Sequence, residues 1–414
     1  MMRIDYWLAD AQTGILREPI DLGRASWSLT VGDSSLSTIK NRQVGKDEVK
    51  DVDVPWSAIP GETQQDRWHA IEPQRRAIVA FARTSGDIRA GSIGTPFLYG
   101  VISGLSCDWT SVTITVSSVY SLLADRYCVP EGGYGEQRAR GVLSWSGMTY
   151  RGIASEVGWQ CTDAKPGGLL PVDWQYRGER HTRVGGEDAT LHTRTYQAWN
   201  VANLSGKDIL DKIAGLSDGP DMQWRPYLTA DGTRVRTRFL AGSDTDPSLP
   251  QPAVPPYWSV MPRGGTLENV SVDWAMSYQR VYATGSGQDA ETLTSLAEDM
   301  GMPGAVPGYV MRETSYSDTD ADQYDALRSA ALAQLTAQSR PIMQISGEYD
   351  LNDPGTPQLG SVWPGMRCVV DMQGHPCLPD GEYDMTLMEM SGDGGSRVKV
   401  LFDVATVPWY QGIR

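Results

Sequence analysis

Apolar residues recur along this chain with two periods, and the places where the period changes divide it. Ile4, Tyr6 and Leu8 alternate with polar neighbours, as do Trp27, Leu29 and Val31 in RASWSLTVGDSSL, so each set predicts a strand with one buried face. A polar stretch follows from Gly45 to Arg67, with Pro55, Pro60 and Gly61 inside it. Next come AIVAFAR, PFLYGVISGLSCDW and SVTITVSSVYSLLADRY, which predict three strands and a short helix. Ile78, Val79 and Phe81 form a near-continuous apolar run, whereas Val112, Ile114 and Val116 alternate strictly. That combination suits a sheet curled into a small barrel with one covered and one wet face. Residues 1–128 are expected to form one all-β unit.

The period becomes helical after Leu204. Ser205 is placed as an N-cap, Asp208 favours the free amides of the first turn, and Ile209, Leu210, Ile213 and Leu216 make one apolar face. Gly219, in a left-handed conformation, and Pro220 are expected to close this helix. Met222, Trp224, Tyr227 and Leu228 then lead to Asp231-Gly232 between two strand-like runs, the pattern of a hairpin. The preceding stretch, Val129 to Asn203, reads as loops with a few strands, and Trp145, Tyr150, Trp159 and Trp174 within it are expected to pack over the helix. Residues 129–265 are therefore taken as an α+β middle region. It leaves through Ser243 to Trp258, where prolines at 247, 250, 252, 255 and 256 predict an extended spacer.

In the last third, Val270, Val272 and Trp274 alternate, and Val281, Tyr282 and Ala283 follow after a break, predicting two strands around a bend. Asp320 to Ser339 predicts a helix with Tyr324, Leu327, Ala331, Leu332 and Leu335 on one face, ended by Arg340-Pro341. Alternation returns at Ile342, Gln344 and Ser346, at Cys368 to Val370, at Tyr383, Met385 and Leu387, and at Val398, Val400 and Phe402. Residues 266–414 are expected to hold a second barrel with this helix near 320–339. The fold class is thus mainly β with α+β parts: two small barrels and a helix-containing middle.

Composition narrows the function. A chain of 414 residues suits two to four domains with ample core. Its formal charge of -15 and pI near 4.7 argue against stable nucleic-acid binding, which needs a basic surface. Gly at 44 and Pro at 25 fit many short strands and turns. Trp at 14 against Phe at 4 has two explanations: large rings filling barrel ends and subunit contacts, or a sugar-binding platform. Five scattered cysteines (Cys107, Cys128, Cys161, Cys368, Cys377) fit neither a disulfide framework nor a zinc site, so reduced thiols are expected. The opening MMRIDYWLADAQTG lacks the apolar run of a signal peptide, and no segment approaches a membrane span, so membrane insertion is not expected.

Reactive constellations are missing. His69, His181, His192 and His375 lie in different segments, none spaced against a nucleophile or ligand, and read as solvated or loop histidines. Cys368, His375 and Cys377 share one expected hairpin, but a structural zinc site wants a fourth ligand. Asp318, Asp320 and Asp322 mimic a calcium loop, yet Gln323 and Ser329 stand where glycine and the bidentate acid belong, so they read as helix-start acids. Gly285, Gly287 and the glycines at 132, 133 and 135 are not followed by the Lys-Ser/Thr of a phosphate loop. Carboxylate pairs are too numerous to single out a glycosidase. No catalytic, cofactor-binding or metal residue is assigned, and the chain is read as a non-enzyme.

The order of these parts resembles the minor tail proteins that form the distal-tail or baseplate hub of long-tailed phages and prophages of actinobacteria. RASWSLTVGDSSLSTI, RAIVAFAR, PFLYGVISGLSCDW and SSVYSLLADRYCV look like that family's opening run of strands closed by a Tyr-Leu-x-x-Arg helix. SGKDILDKIAGLSDGPDMQW is similar to its helix followed by Gly-Pro-Asp and an aromatic strand. NVSVDWAMSYQRVYATGSG, PGTPQLGSVWPGMRCVVD, DGEYDMTLMEMS and VKVLFD resemble the Pro-Gly barrel of tail hubs, while residues 129–203 match nothing in the pattern. The resemblance implies two barrels of the tail-hub type per subunit and a homotrimeric ring at the virion tail tip, assembled in the host cytoplasm. Its implied partners are the distal tail protein, the tape-measure protein and other tail-tip proteins, with DNA in transient passage. Some relatives add a peptidoglycan-cleaving domain, and none is expected here because VPWYQGIR follows the second barrel directly. The alternatives are a host-surface carbohydrate-binding tail protein and a cell-wall hydrolase.

Overall fold

The computed structural model of the chain describes residues 2–31, 34–38, 51–134, 138–180, 183–184, 187–188, 192–216, 218–275, 277–319, 321–339 and 342–404. The first third holds strands β1 (Arg3–Asp10), β2 (Leu16–Ile20), β3 (Ala25–Thr30), β4 (Ser34–Thr38), β5 (Asp51–Pro55), β6 (Arg76–Arg83), β7 (Thr95–Cys107) and β8 (Ser111–Ser117). Six of them form an antiparallel sheet in the order β2-β1-β6-β7-β8-β5. The apolar run RAIVAFAR has a physical cause in this position. Ile78, Ala80 and Ala82 enter one core while Ala77, Val79 and Phe81 enter another on the opposite face, so β6 is buried on both sides. Between β7 and the edge strand β5, β8 keeps strict alternation: Val112, Ile114 and Val116 point inward, and Thr115 donates to Asp51 Oδ1 at 2.8 Å on the wet face.

Two strands leave this sheet. β3 pairs antiparallel with a strand of the last third and carries β4 on its other side. That last sheet runs β16 (Tyr257–Val260), β22 (Arg367–Met372), β23 (Gly381–Gly392), β24 (Arg397–Val404), β21 (Ile342–Asp350), β17 (Glu268–Ala275), with β3 joined to β23, and curves as a half-barrel. Along the chain, β9 (Val142–Met148), β10 (Val172–Trp174), β11 (Arg183–Val184), β12 (Glu187–Asp188), β13 (His192–Gln197), β14 (Met222–Leu228), β15 (Val235–Ala241), β18 (Arg280–Thr284), β19 (Thr294–Glu298) and β20 (Glu313–Ser317) lie outside these two sheets. The inner faces of the two large sheets share one core: Ile78, Phe97 and Ile114 lie with Trp258, Tyr349, Met390 and Phe402. Trp27, carried in on β3, meets Phe97 edge-on at 5.0 Å. It also lies 2.8 Å from where a Cβ on Gly392 would stand, so glycine is required for this crossing. The chain is mainly β, as its pattern predicts.

The middle region covers the other face of the first sheet. Helices α4 (Tyr150–Cys161) and α5 (Gly206–Ala214) pack with the sheet β10-β15-β14, and their core includes Val79, Phe81, Ile153, Val157, Ile209, Ile213 and Phe239. Helix α5 begins as expected, with Ser205 Oγ accepting from Asp208 N at 3.1 Å. It ends at Ala214, two residues before Leu216, and Gly219 is not left-handed. Its role is close approach, since a Cβ there would lie 2.2 Å from the Ile213 carbonyl. The Asp231-Gly232 hairpin forms, with Gly232 at φ 68°. Trp174 and Tyr150 enter the core beside α5, and Trp145 and Trp159 pack against it.

Several expectations are corrected. Val129 to Asn203 is not only loops and strands, because α4 crosses it. Tyr150, Gly152, Ile153, Ala154, Ser155, Val157 and Gly158 are all buried, so the helix has no wet face and no amphipathic period to reveal it. Two shorter helices also escape the pattern: α1 (Gln64–Ile71) and α2 (Ser85–Ala90) start at Thr63 and Thr84, each paired in a capping box with the Asp three residues on. The Pro-rich segment is no free spacer: Leu249 is buried, Pro247 O accepts from Asp221 N at 2.8 Å, and β16 is in the last sheet. The remaining helices are α3 (Val119–Leu122), α6 (Gly301–Ala305) and α7 (Tyr324–Gln338). α7 covers the small sheet β19-β18-β20 with Leu327, Ala331 and Leu335, whereas Tyr324 and Leu332 are exposed and lie off the expected face.

Candidate functional site

The structure scatters the residues weighed for chemistry. His69 lies on α1 beside Glu72, with Nδ1 to Oε2 at 3.3 Å. His375 accepts from the Cys377 amide at 3.2 Å in an exposed turn, while Cys368 is buried and donates to the Met385 carbonyl at 3.5 Å. Burial pushes the Cys368 thiol up to about 12, which keeps it protonated at neutral pH. His181 and Asp320 lie outside the described residues. Asp318 and Asp322 border a cleft, and among the described residues no group of three His, Cys, Asp or Glu is placed to hold a metal ion.

His192 departs from the expectation of a solvated histidine. It is buried at the start of β13, its ring stacks on Tyr150 at 3.5 Å and 9°, and Nε2 lies 3.3 Å from Asp244 Oδ2. Asp244 Oδ1 accepts from the Tyr150 amide at 3.0 Å. Burial raises the Tyr150 phenol above its ordinary range, against the pull of Arg194, which donates to it at 3.4 Å. One residue along, Arg151 forms two 2.7 Å bonds with Glu179, which also accepts from Thr149 Oγ1 at 2.7 Å. The four elements so joined are β13, the start of α4, the 171–180 segment and the 241–250 segment. The bonds of Glu179 with Arg151 and Thr149 and of Asp244 with the Tyr150 amide tie the start of α4 to its neighbours, while His192 Nε2 and Asp244 Oδ2 face each other in the core without a hydrogen bond. Nothing local in the sequence marks Asp244 as the neighbour of His192, which is why spacing did not reveal it.

Of the concave surfaces among the described residues, two bear on function. One is a cleft of about 840 Å³ between the middle region and α7, bordered by Arg194, Trp199, Lys212, Asp318, Asp322 and Gln334. The other is a pocket of about 370 Å³ at one end of the first sheet, lined by Trp56, Trp68 and Trp109 with Gln64, Arg67 and Asp108. Trp109 stands on the turn between β7 and β8 and is 99% exposed, and Trp68 on α1 is half exposed. Trp56 Nε1 donates to the Asp108 carbonyl at 2.9 Å and fixes the turn. The Asp108 carboxylate is occupied by Thr110 and Ser111, whose backbone amides hold its pKa down to about 2. The pocket therefore offers indole faces, an amide and a guanidinium. Its volume and mixed lining suit a small polar ligand with an apolar face.

No family model matches the chain, and no curated protein matches it. Solved structures similar to it include a tail protein from Neisseria meningitidis, at 13% identity and TM-score 0.46, covering 99% of this chain and 97% of that one. The 43 kDa tail protein of prophage MuSo2 from Shewanella oneidensis is similar at 10% identity and TM-score 0.49, covering 98% and 99%. A prophage tail protein from Listeria monocytogenes is similar at 11% identity and TM-score 0.44, covering 96% and 94%.

Proposed function

We propose that this chain is a structural component of a phage tail tip, a baseplate hub of a long-tailed actinobacterial phage that assembles as a homotrimeric ring. The supporting observation is the order of its parts and the way they are built. The opening strands, the Ser205-capped helix leading to Gly-Pro-Asp and an aromatic strand, and the Pro-Gly strands of the last third occur in the order of the resemblance. The strands and helices that carry these motifs form, and the first and last sheets share one core. In this reading the distal tail protein and tape-measure protein are its neighbours, and DNA passes without being held. An acidic bore would favour passage, since a basic one would grip the phosphates, with the effect confined to about 8 Å at physiological salt. Imaging of an assembled tail tests the ring: threefold symmetry of this chain is expected, and strict twofold or sixfold symmetry overturns it.

A second reading has its own observation, the pocket of Trp56, Trp68 and Trp109. As a glycan-binding tail protein, the chain would stack a sugar ring on the exposed indoles. Glycan-array binding by the purified protein that is lost in Trp109→Ala would favour it, and no binding above background would remove it.

A further inference from the structure

Cys128 and Cys161 meet in the core between the first sheet and the middle region, both with no exposed surface. Their side chains are neighbours in that core and act on each other's ionisation. Their backbones come from different elements and are each held firmly. Cys128 N donates to the Leu204 carbonyl at 2.8 Å, Gly206 N donates to the Arg126 carbonyl at 2.7 Å, and Tyr127 bridges Ser205 antiparallel, making a short ribbon. Cys161 is the last residue of α4, and its sulfur lies 2.9 Å from where a Cβ on Gly206 would stand, so glycine at 206 lets the sulfur reach the ribbon. Lys165 Nζ donates to the Tyr127 carbonyl at 2.6 Å and Arg126 Nη1 to the Cys161 carbonyl at 3.4 Å, which sets two cations beside the pair. The other cysteines are placed differently: Cys107 and Cys377 are exposed, and Cys368 sits in the other large core.

We propose that Cys128 and Cys161 are a latent dithiol that closes to a disulfide once the protein meets an oxidising medium, tying the end of α4 to the 126–128 ribbon. The reaction requires a small-molecule disulfide such as oxidised glutathione. The Cys161 thiolate attacks one sulfur of that disulfide, forming a mixed disulfide and expelling one thiolate, which takes the proton Cys161 lost. Cys128 then loses its proton and attacks Cys161 Sγ, expelling the second thiolate, which takes that proton. The protein gives up two electrons and two hydrogens, and the small disulfide becomes two thiols. Cys161 is the attacking sulfur because the neighbouring Cys128 favours its thiolate against the opposing effect of burial, with Lys165 and Arg126 adding to it. Cys161 and burial in turn hold the Cys128 proton on. Both sulfurs are covered, so closure proceeds through local opening and follows the reaction of exposed Cys107 and Cys377. Thiols reduced in a cell and bridged on a virion surface are the redox behaviour expected of those compartments. The geometry itself does not depend on the tail assignment.

The test is incubation of the full chain with oxidised glutathione, followed by denaturing alkylation and mass spectrometry of a non-reduced digest. The expected product is a linked peptide pair holding Cys128 and Cys161, lighter than the dithiol by two hydrogens. The apparent Tm should rise by roughly 3–10 °C and return on reduction. Cys128→Ser and Cys161→Ser should each lose both the link and the rise. Because either variant can fold poorly, Cys107→Ser/Cys377→Ser, which keeps the buried pair, is run beside them and should behave as the parent. Alkylatable thiols at both 128 and 161 after refolding of the parent in the same buffer overturn the proposal. So does a link found only in chain that lacks the native circular dichroism.

Discussion

Helices α4 and α5 lie in the same core and are built on opposite terms. α5 buries Ile209, Leu210 and Ile213 and turns Asp211 and Lys212 to water, so one face fixes it and the other tolerates change. α4 is covered on nearly every side and achieves this with small residues. Gly158 lies under Trp174, whose ring atoms come within 2.2 Å of where a Cβ would be, and Gly152 lies 2.7 Å by the same measure from the Glu179 carbonyl. Two glycines inside a helix cost about 1 kcal/mol each against alanine, and close packing offsets that cost. The amphipathic helix is thus anchored by hydrophobic burial, whereas the buried helix is held by fit. Their failure modes should differ accordingly.

The largest effect is expected at the fit. Gly158→Leu forces a side chain into the Trp174 ring, and the outcome should be loss of more than about 3 kcal/mol or failure to fold. Urea denaturation monitored by tryptophan fluorescence checks it, and Gly158→Leu/Trp174→Ala should recover part of the loss. Next comes α5, where Ile213→Asp buries an unpaired carboxylate and should cost about 3–5 kcal/mol, while the neighbouring Lys212→Ala on the wet face should cost under about 0.5 kcal/mol. Equal Tm values for parent and Ile213→Asp would show that α5 is not core.

The same contrast decides what could be read from the chain. α5 and the Asp231-Gly232 hairpin are legible because Ser205, the spacing of Ile209 and Ile213, and the turn residues each carry a local signal. α4 has no polar face, so its residues carry no helical period, and Gly152 and Gly158 point toward a loop. Long-range partnership is equally silent. Trp27 alternates as a strand residue should, but nothing in its neighbourhood tells that β3 pairs with Glu389 to Gly392 instead of the sheet it follows. The Trp56, Trp68 and Trp109 pocket is assembled from a turn, a helix and a hairpin tip, and His192 meets Asp244 from a proline-rich segment. Such sites exist only once the sheets are folded.

A smaller effect separates the helix starts. Ser205 caps α5 with its own hydroxyl at 3.1 Å, so Ser205→Ala should cost about 1 kcal/mol. Thr149 accepts from Gly152 N at 3.1 Å in the same way, but its hydroxyl also donates to Glu179. Thr149→Ala should therefore cost more than Ser205→Ala, because it removes a partner of Glu179 as well as a cap. Paired denaturation curves of the two variants check the ranking, and a larger loss at Ser205 would reverse it.

The smallest expected effect is a pH dependence confined to α4. Burial acts to raise the Glu179 pKa, but the hydrogen bonds from Arg151 and Thr149 outweigh it and the net shift is downward. A carboxylate with a depressed folded pKa contributes stability above its unfolded value, near 4.3, and loses it as pH falls through the folded value. Glu179 is partly solvated, so screening reduces the contribution to a few tenths of a kcal/mol. Glu179→Gln should therefore be slightly less stable than the parent at pH 7, and the gap should close below about pH 4 as the parent's carboxyl takes up its proton. Denaturant midpoints of the two proteins between pH 3 and 7 measure this, with Ser205→Ala as the comparison whose deficit stays constant because a hydroxyl cap does not titrate. A Glu179→Gln deficit that persists unchanged at pH 3 would mean that Glu179 holds α4 by shape alone, and the distinction between the two helix starts would fall.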